Sequence, residues 1–209
     1  MSLPTREVMY AELQVTTNYS FLRSGSHPGE LALQAVELGH TAIGITDRNT
    51  LAGVVRAYAA LKEYYEEHPT PPEQQTKLLV GARLETRDGY SLLAYPTDLD
   101  AYKRLSRLLT VGNRRAAKGQ CDLTFDDLST YAEGILAIVL PPRRPDDPAF
   151  RERLRALARL FGDRCYLAGT MLFRGDDARR LAQLDNLAAE MGVGPVSYTH
   201  LTLPTIYSV

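Results

Sequence analysis

The chain has 209 residues, a formal net charge of −1, 44% hydrophobic and 23% charged residues. These values are ordinary for a globular protein and predict one domain with a sizeable core. The near-neutral charge gives no basic footprint, which argues against nonspecific nucleic-acid binding by this chain alone. No signal peptide or membrane-spanning run is visible, so the cytoplasm is the expected compartment. Cys121 and Cys165 lack CxxC spacing and are expected to be reduced thiols, with a disulfide as the weaker alternative.

Residues 10–53 predict a strand, a loop, a helix and a second strand. Hydrophobic and polar residues alternate over 11–16, and 42–46 is a short apolar run. His27-Pro28-Gly29-Glu30 is typical of a helix start, which favours His27 as a capping or surface residue over a metal ligand. Gly39 is a plausible helix stop. The unit is of the βαβ type and implies a parallel sheet, and in an α/β barrel the polar residues after its strands would converge on one pocket.

The rest of the chain continues the alternation of strands and helices. Asp88-Gly89 is typical of a hairpin turn between two of the predicted strands. The predicted helices are 51–65, 98–109, 148–161 and 176–191. The predicted strands are 77–86, 90–95, 135–140 and 164–168.

Five segments in a fixed order carry a family resemblance. They are YAELQVTTNYSFLRSGSHPGEL, AIGITDRNTLAGVVRAY, LLVGARLE, RLSRLLTVGNRRAAKGQCDLTFDDL and AEGILAIVLPP. Over about residues 10–195 the chain resembles the N-terminal PHP (polymerase and histidinol phosphatase) domain of bacterial C-family DNA polymerases. Within that family it is most similar to the error-prone, translesion polymerases related to the DNA polymerase III alpha subunit.

The resemblance implies an α/β fold, a distorted seven-stranded (β/α) barrel of the PHP type that is incomplete at its C-terminal end. Residues 1–195 would form the truncated PHP domain. Residues 196–209 are expected to be a non-native tail, because VSYTHLTLPT resembles the translation of a common sequencing adapter. The alternative is a genuine but divergent strand. On either interpretation His200 is not expected to be a metal ligand.

In active members of this family, histidines and carboxylates at the strand ends hold two or three metal ions. Gln14 and Thr16 stand in place of a His-x-His pair, and neither side chain offers a lone pair comparable to that of imidazole. Arg48 stands where a third histidine is expected and adds a permanent cation. The resemblance therefore implies no catalytic residue and no metal cofactor for this chain, with Asp47 as the only candidate metal ligand.

Two further ligand positions, both glutamates in active members, correspond to Arg56 and Arg83. We expect Asp47 to form an ion-pair network with Arg48, Arg56 and Arg83 that fills the former metal cavity. The alternatives are a surviving one-metal site at Asp47, or solvated arginines that bind an anion. Glu12 is a weaker candidate for a functional remnant that faces the strand ends.

A basic loop follows the third predicted helix and contains Arg114, Arg115 and Lys118. Solvation is the simpler interpretation of these residues. Contact with other domains of a parent polymerase, or with the DNA backbone, is the alternative.

The resemblance implies a fragment of an error-prone DNA-directed DNA polymerase, a nucleotidyltransferase of DNA replication and of translesion repair synthesis across DNA damage. The fragment itself would be a metal-free structural module without activity. The catalytic carboxylates and their Mg ions would belong to the parent's polymerase body, outside this chain. The expected partners are the rest of that chain (palm, thumb and fingers) and, through it, DNA, with no membrane. The alternative is a metal-dependent PHP phosphoesterase or 3'-5' proofreading exonuclease.

Overall fold

The computed structural model describes residues 10–171, 173 and 175–197. They form eight strands and six α-helices in chain order. The strands are β1 (Ala11–Val15), β2 (Ala42–Ile45), β3 (Lys77–Val80), β4 (Ala82–Glu85), β5 (Ser91–Pro96), β6 (Ile135–Val139), β7 (Cys165–Gly169) and β8 (Gly194–Ser197). The helices are α1 (Pro28–Glu37), α2 (Ala52–Glu67), α3 (Leu99–Arg115), α4 (Phe125–Tyr131), α5 (Pro148–Phe161) and α6 (Asp177–Met191).

The first sheet has the order β1-β2-β3 and is parallel throughout, as the βαβ pattern predicts. Helices α1 and α2 pack on each other and cover this sheet with an aliphatic core. His27 is confirmed as the N-cap of α1: its Nδ1 accepts a hydrogen bond from Gly29 N, and the Glu30 carboxylate accepts one from His27 N. Gly39 follows the helix at φ 69°, a conformation that suits glycine.

The prediction of one strand over 77–86 is wrong, because the chain changes sheet at Gly81. The residues before Gly81 pair with β2, and those after it pair with β5. A Cβ atom at Gly81 would lie 2.7 Å from the ring of Tyr95. The glycine therefore lets the backbone pass directly beneath that tyrosine, at the point where the two sheets separate.

The second sheet has the order β4-β5-β6-β7-β8. Its first two pairings are antiparallel and its last two are parallel. The β4–β5 hairpin turns at Gly89, whose φ is 87°, which confirms the Asp-Gly turn. Helices α3, α4, α5 and α6 contribute to the main core on this sheet. The short helix α4 was not predicted, although Thr124 and Asp127 form its capping box.

The fold is a mixed α/β arrangement, and no closed barrel is seen among the described residues. Hydrogen bonds instead join the two sheets. Tyr95 Oη of β5 donates a hydrogen bond to Leu13 O of β1. A parallel bridge joins Arg48 to Arg83, with Arg83 N donating to Asp47 O at 3.0 Å.

The predicted tail boundary falls inside β8. Pro195 pairs with Leu167 and Val196 with Ala168, so the pairing with β7 continues across that position. The other residues of the predicted tail, 198–209 with His200, lie outside the described residues. No helix in the described part of the chain has the length and apolar character to cross a membrane. Cys121 and Cys165 are both free thiols, as expected.

Candidate functional site at the strand ends

Asp47 lies two residues beyond the end of β2, and its side chain is fully buried. Its Oδ1 atom accepts hydrogen bonds from Thr17 N at 2.8 Å and from Ser20 Oγ at 2.6 Å. Its Oδ2 atom accepts one from Thr17 Oγ1 at 2.8 Å. A buried carboxylate needs such donors to offset its lost hydration. The loop after β1 supplies all three of them and is thereby fixed to the end of β2.

An arginine network exists at these strand ends, but Glu85 and not Asp47 is its centre. The Glu85 carboxylate accepts Arg48 Nε at 2.5 Å, Arg83 Nη2 at 2.8 Å and Arg23 Nη1 at 3.2 Å. The prediction that Asp47 pairs with the arginines is therefore wrong. Short hydrogen bonds from neutral donors already occupy both oxygens of Asp47, while Glu85 ends β4 on the side that the arginines reach.

Arg56 takes no part in this network. It lies on α2, is exposed, and forms no ion pair with any residue in the described ranges. Gln14 is 4% exposed within β1, and Thr16 is half-buried just after it. The hydroxyl that contacts Asp47 belongs to Thr17, one residue beyond the predicted position.

Asn49 holds the end of β2 against β4. Its backbone is left-handed, with φ 51°, and its N–H donates to Arg83 O at 2.8 Å. The side-chain Nδ2 donates to Glu85 O at 3.1 Å, and Oδ1 accepts from Glu85 N at 2.9 Å. Asparagine tolerates this conformation better than most residues. Its amide thus continues the ladder between the strands and positions Glu85 to receive the arginines.

The side chains at this rim do not fit a PHP-type metal cluster. Asp47 and Glu85 are its carboxylates, and hydrogen-bond donors or guanidinium groups already engage both of them. Among the described residues, no group of three or more His, Cys, Asp or Glu is arranged to hold a metal ion. Three guanidinium groups close to one carboxylate also disfavour a divalent cation electrostatically.

The family model described as PHP domain matches residues 12–168. This match covers both sheets as far as β7 and includes the Asp47 and Glu85 sites. The chain belongs to the PHP-domain family. The strand-end residues described above therefore lie within its PHP domain.

Curated relatives of this PHP domain are named error-prone DNA polymerase. The protein from Caulobacter vibrioides is 47% identical over 188 residues, which are 90% of this chain. The protein from Rhodopseudomonas palustris is 47% identical over 180 residues, which are 86% of this chain. The matched region is 16% of each relative, so the chain spans about a sixth of their length.

Solved structures show the same fold at low sequence identity. One is a candidate metal-dependent phosphoesterase from Bifidobacterium adolescentis, with a TM-score of 0.63 and 16% identity, over 91% of this chain and 86% of the other. Another is an amidohydrolase from Chromobacterium violaceum with bound sulfate and no metal. Its TM-score is 0.58 and its identity 14%, over 93% of this chain and 88% of the other. At these identities the likeness concerns the fold alone.

Glu12 lies away from the strand-end site of the PHP domain. It is 1% exposed beneath α1, accepts a hydrogen bond from Gln14 N at 3.0 Å and another from Tyr10 Oη at 2.8 Å. Burial raises the pKa of its carboxyl, and these hydrogen bonds oppose that rise. Glu12 occupies the opposite half of β1 and does not face the strand ends, which argues against its weaker interpretation as a functional remnant.

The prediction of a basic loop is wrong for Arg114 and Arg115, because α3 runs six residues beyond its predicted end and contains both in its last turn. Arg115 forms a bidentate pair with Asp127 at 2.7 and 2.9 Å, and the hydrogen bond from Arg115 lowers the pKa of the Asp127 carboxyl to about 2. Arg114 and Lys118 are exposed and form no ion pair within the part of the chain that the structure describes. Arg115 therefore links α3 to α4 through its pair with Asp127.

Sequence reasoning missed the residues that engage the predicted positions. They are Arg23, Thr17, Ser20, Asn49 and Glu85. Each has a side chain suited to its contact, but apart from the Arg83–Glu85 pair these contacts span 27 to 62 residues of sequence. The hydroxyl-rich sequence TTNYS after β1 was the one visible indication.

Proposed function

We propose that this PHP domain is part of an error-prone DNA polymerase and serves there as a metal-free scaffold for the polymerase body. The observation that carries this proposal is the state of Asp47, the only candidate metal ligand. Its two carboxylate oxygens accept three short hydrogen bonds from Thr17 and Ser20. A metal ion would have to displace donors that already compensate the buried charge.

The same contacts offer a structural substitute for a metal cluster. Asp47 ties the loop after β1 to β2, and Glu85 ties two other segments to the end of β4 through Arg23 and Arg48, while it also pairs with Arg83 of β4 itself. Charge-assisted hydrogen bonds between partly buried groups are stronger than neutral ones. The rim is thereby cross-linked by side chains of the chain itself, which supports a scaffolding role.

The wider function rests on the curated relatives. In this proposal the parent is a cytoplasmic DNA-directed DNA polymerase for translesion synthesis, and its palm, thumb and fingers contact this domain and the DNA. Nucleotidyl transfer and the Mg ions that it needs belong to that body, beyond these residues. We further propose that the two sheets are parts of a distorted seven-stranded barrel of the PHP type, and that residues 196–209 are not native.

Metal analysis tests the scaffold against the phosphoesterase or exonuclease alternative. The full 209-residue chain is dialysed against Mn²⁺ or Zn²⁺, its bound metal is measured, and hydrolysis of a phosphodiester is assayed in parallel. We expect substoichiometric metal, the same for the chain and for Asp47→Asn, and no hydrolysis. Stoichiometric metal in the unmodified chain, lost in Asp47→Asn but retained in the exposed control Asp126→Asn, would contradict the proposal of a metal-free scaffold.

A chimaera tests the link to a polymerase. This chain replaces the matching segment of the Caulobacter vibrioides error-prone DNA polymerase, and primer extension is measured. We expect extension by the chimaera and its loss when Glu85→Ala removes the arginine anchor, with the purified Glu85→Ala protein showing whether the domain has unfolded. A folded chimaera that does not extend primers contradicts the proposal that this domain supports a polymerase body.

A further inference from the structure

A polar hollow of about 550 Å³ lies beside the strand-end network, between the start of α2 and the segment that follows α3. Its size is within the range of small-ligand sites. Hydroxyl, amide and guanidinium groups line it, and two of the lining residues, Arg48 and Asn49, also contact Glu85 in the strand-end network. The polar residues that line it are Tyr19, Arg48, Asn49, Thr50, Asn113 and Gln120.

Arg48 presents unused donors to this hollow. Its Nε atom pairs with Glu85, which fixes the side chain, yet 49% of that side chain remains exposed. Within the described residues its two terminal nitrogens make no hydrogen bond. A guanidinium that is held at one nitrogen and open at the other two presents the planar fork that recognises phosphate oxygens.

The charge around the hollow is positive on balance. Arg23, Arg48 and Arg83 share the single carboxylate of Glu85, which leaves a formal excess of two positive charges. The buried Asp47 behind this network reduces that excess to one. Across the hollow, the carboxylate of Asp122 is paired with Arg87, and that of Asp127 with Arg115.

An aromatic side chain lies beside these donors. Tyr19 lines the hollow and is 41% exposed, and Phe21 on the same loop is 84% exposed. An exposed aromatic ring next to an open guanidinium is the combination that proteins use to stack a base and hold its phosphate. A carboxylate of a protein partner would use the arginine but would leave the ring without a role.

We propose that this hollow binds a nucleotide unit, with the phosphate on Arg48 and the base stacked on Tyr19. The amides of Asn49, Asn113 and Gln120 surround the site and can donate to or accept from the sugar and base edges. The unit belongs either to a single strand or to a free nucleotide. The proposal does not depend on the polymerase parent, but it shares Arg48 with the scaffold, because the pair with Glu85 holds that guanidinium in place.

Fluorescence anisotropy with a labelled oligothymidylate of about eight nucleotides tests the proposal, at about 50 mM salt, where phosphate contacts are strongest. We expect saturable binding by the 209-residue chain, weakened about tenfold by Arg48→Ala and about fivefold by Tyr19→Ala. Thymidine monophosphate and inorganic phosphate serve as competitors. Competition by the monophosphate at equal nucleotide concentration assigns the site to a free nucleotide, and its failure assigns the site to a strand.

Matched controls separate this site from general attraction. Arg155→Ala removes an exposed charge on α5 that forms no ion pair with the residues that the structure describes. Tyr102→Ala removes a tyrosine that is 40% exposed on α3, about 16 Å along the helix from Asn113. We expect both variants to bind the oligonucleotide as tightly as the unmodified 209-residue chain does. Arg48→Lys keeps the charge and the fold but loses the fork, and we expect it to weaken binding as well. Absence of binding, equal losses in Arg48→Ala and Arg155→Ala, or displacement of the oligonucleotide by polyglutamate as effectively as by unlabelled strand overturns the proposal.

Discussion

Replacing Gly53 by alanine places a methyl group against the buried carboxylate of Asp47. The new Cβ would overlap Asp47 Oδ2 and lie 3.0 Å from Thr17 Oγ1. Gly53 is in the first turn of α2 and has no positive φ, so its backbone accepts alanine. Helix propensity alone predicts that the substitution stabilises the protein by up to about 1 kcal/mol.

The contact of the new methyl group with Asp47 turns the expected stabilisation into a destabilisation. To accommodate the methyl group, Asp47 must move away from Thr17, which breaks or lengthens the 2.8 Å bond between Thr17 Oγ1 and Oδ2. Loss of a buried hydrogen bond to a charged group costs about 1.5–3 kcal/mol. After the helix-propensity gain, we expect a net loss of about 1–2 kcal/mol in the free energy of unfolding. For a chain of this size, that lowers the melting temperature by about 3–6 °C.

Urea and thermal unfolding of the Gly53→Ala protein measure this loss. Gly25→Ala is the control, because a Cβ there meets nothing within 4 Å, and we expect a change below about 0.5 kcal/mol. In a double-mutant cycle with Asp47→Ala, the cost of Gly53→Ala should shrink, because the carboxylate that it displaces is gone. Stabilisation by Gly53→Ala, or an unchanged cost in the Asp47→Ala background, would refute the account of the buried carboxylate.

Three other predictions concern contacts away from Gly53. Asp127 carries a pKa lowered to about 2 from its ordinary 3.8 by the hydrogen bond from Arg115. Its contribution to stability is therefore present above pH 4 and is lost as the pH falls through 2, and Asp127→Asn should flatten unfolding free energy against pH in that window. Tyr95→Phe removes the hydrogen bond to Leu13 O and should cost about 1 kcal/mol in urea unfolding. Asn49→Ala should cost about 2–3 kcal/mol, since it loses two hydrogen bonds and keeps a left-handed backbone.

Each of these predictions has a control. Asp126→Asn changes an exposed neighbour of Asp127 on the same helix, and it should leave the acid slope intact. Tyr102→Phe removes a hydroxyl from an exposed ring and should be neutral. Asn49→Gly loses the same hydrogen bonds but accepts the left-handed backbone without strain, so it should lower the free energy of unfolding less than Asn49→Ala does. An equal cost for both substitutions would show that the left-handed conformation contributes nothing.

Local patterns predicted five of the six α-helices of the described residues, because helix ends are determined within a few residues, although they missed α4 and ended α3 six residues too early. Helix α5 begins and ends where the proline at 148 and the aromatic at 161 place it, and the His27 cap of α1 was visible in four residues of sequence. The break at Gly81 was not predictable in this way. It depends on the ring of Tyr95, fourteen residues later and on another strand, whose position only the folded sheets determine.

The strand-end site was predicted only in part, because its local features are visible in the sequence and its long-range contacts are not. The sequence placed Asp47 and Arg48 after a buried strand, and the structure agrees. The sequence could not predict which carboxylate forms ion pairs with the arginines, because Asp47 and Glu85 are chemically similar. The choice depends on the hydroxyl groups of Thr17 and Ser20, which approach across the sheet and saturate Asp47 first.

The tyrosine between the two sheets has a consequence for variation among relatives. A Cβ atom at Gly44 would overlap the hydroxyl of Tyr95, and one at Gly81 would lie 2.7 Å from its ring. Two backbone segments thus share a single side chain as their spacer. We therefore expect changes at these three positions to be coupled, because a side chain at either glycine fits only where the ring of Tyr95 is displaced or replaced by a smaller group.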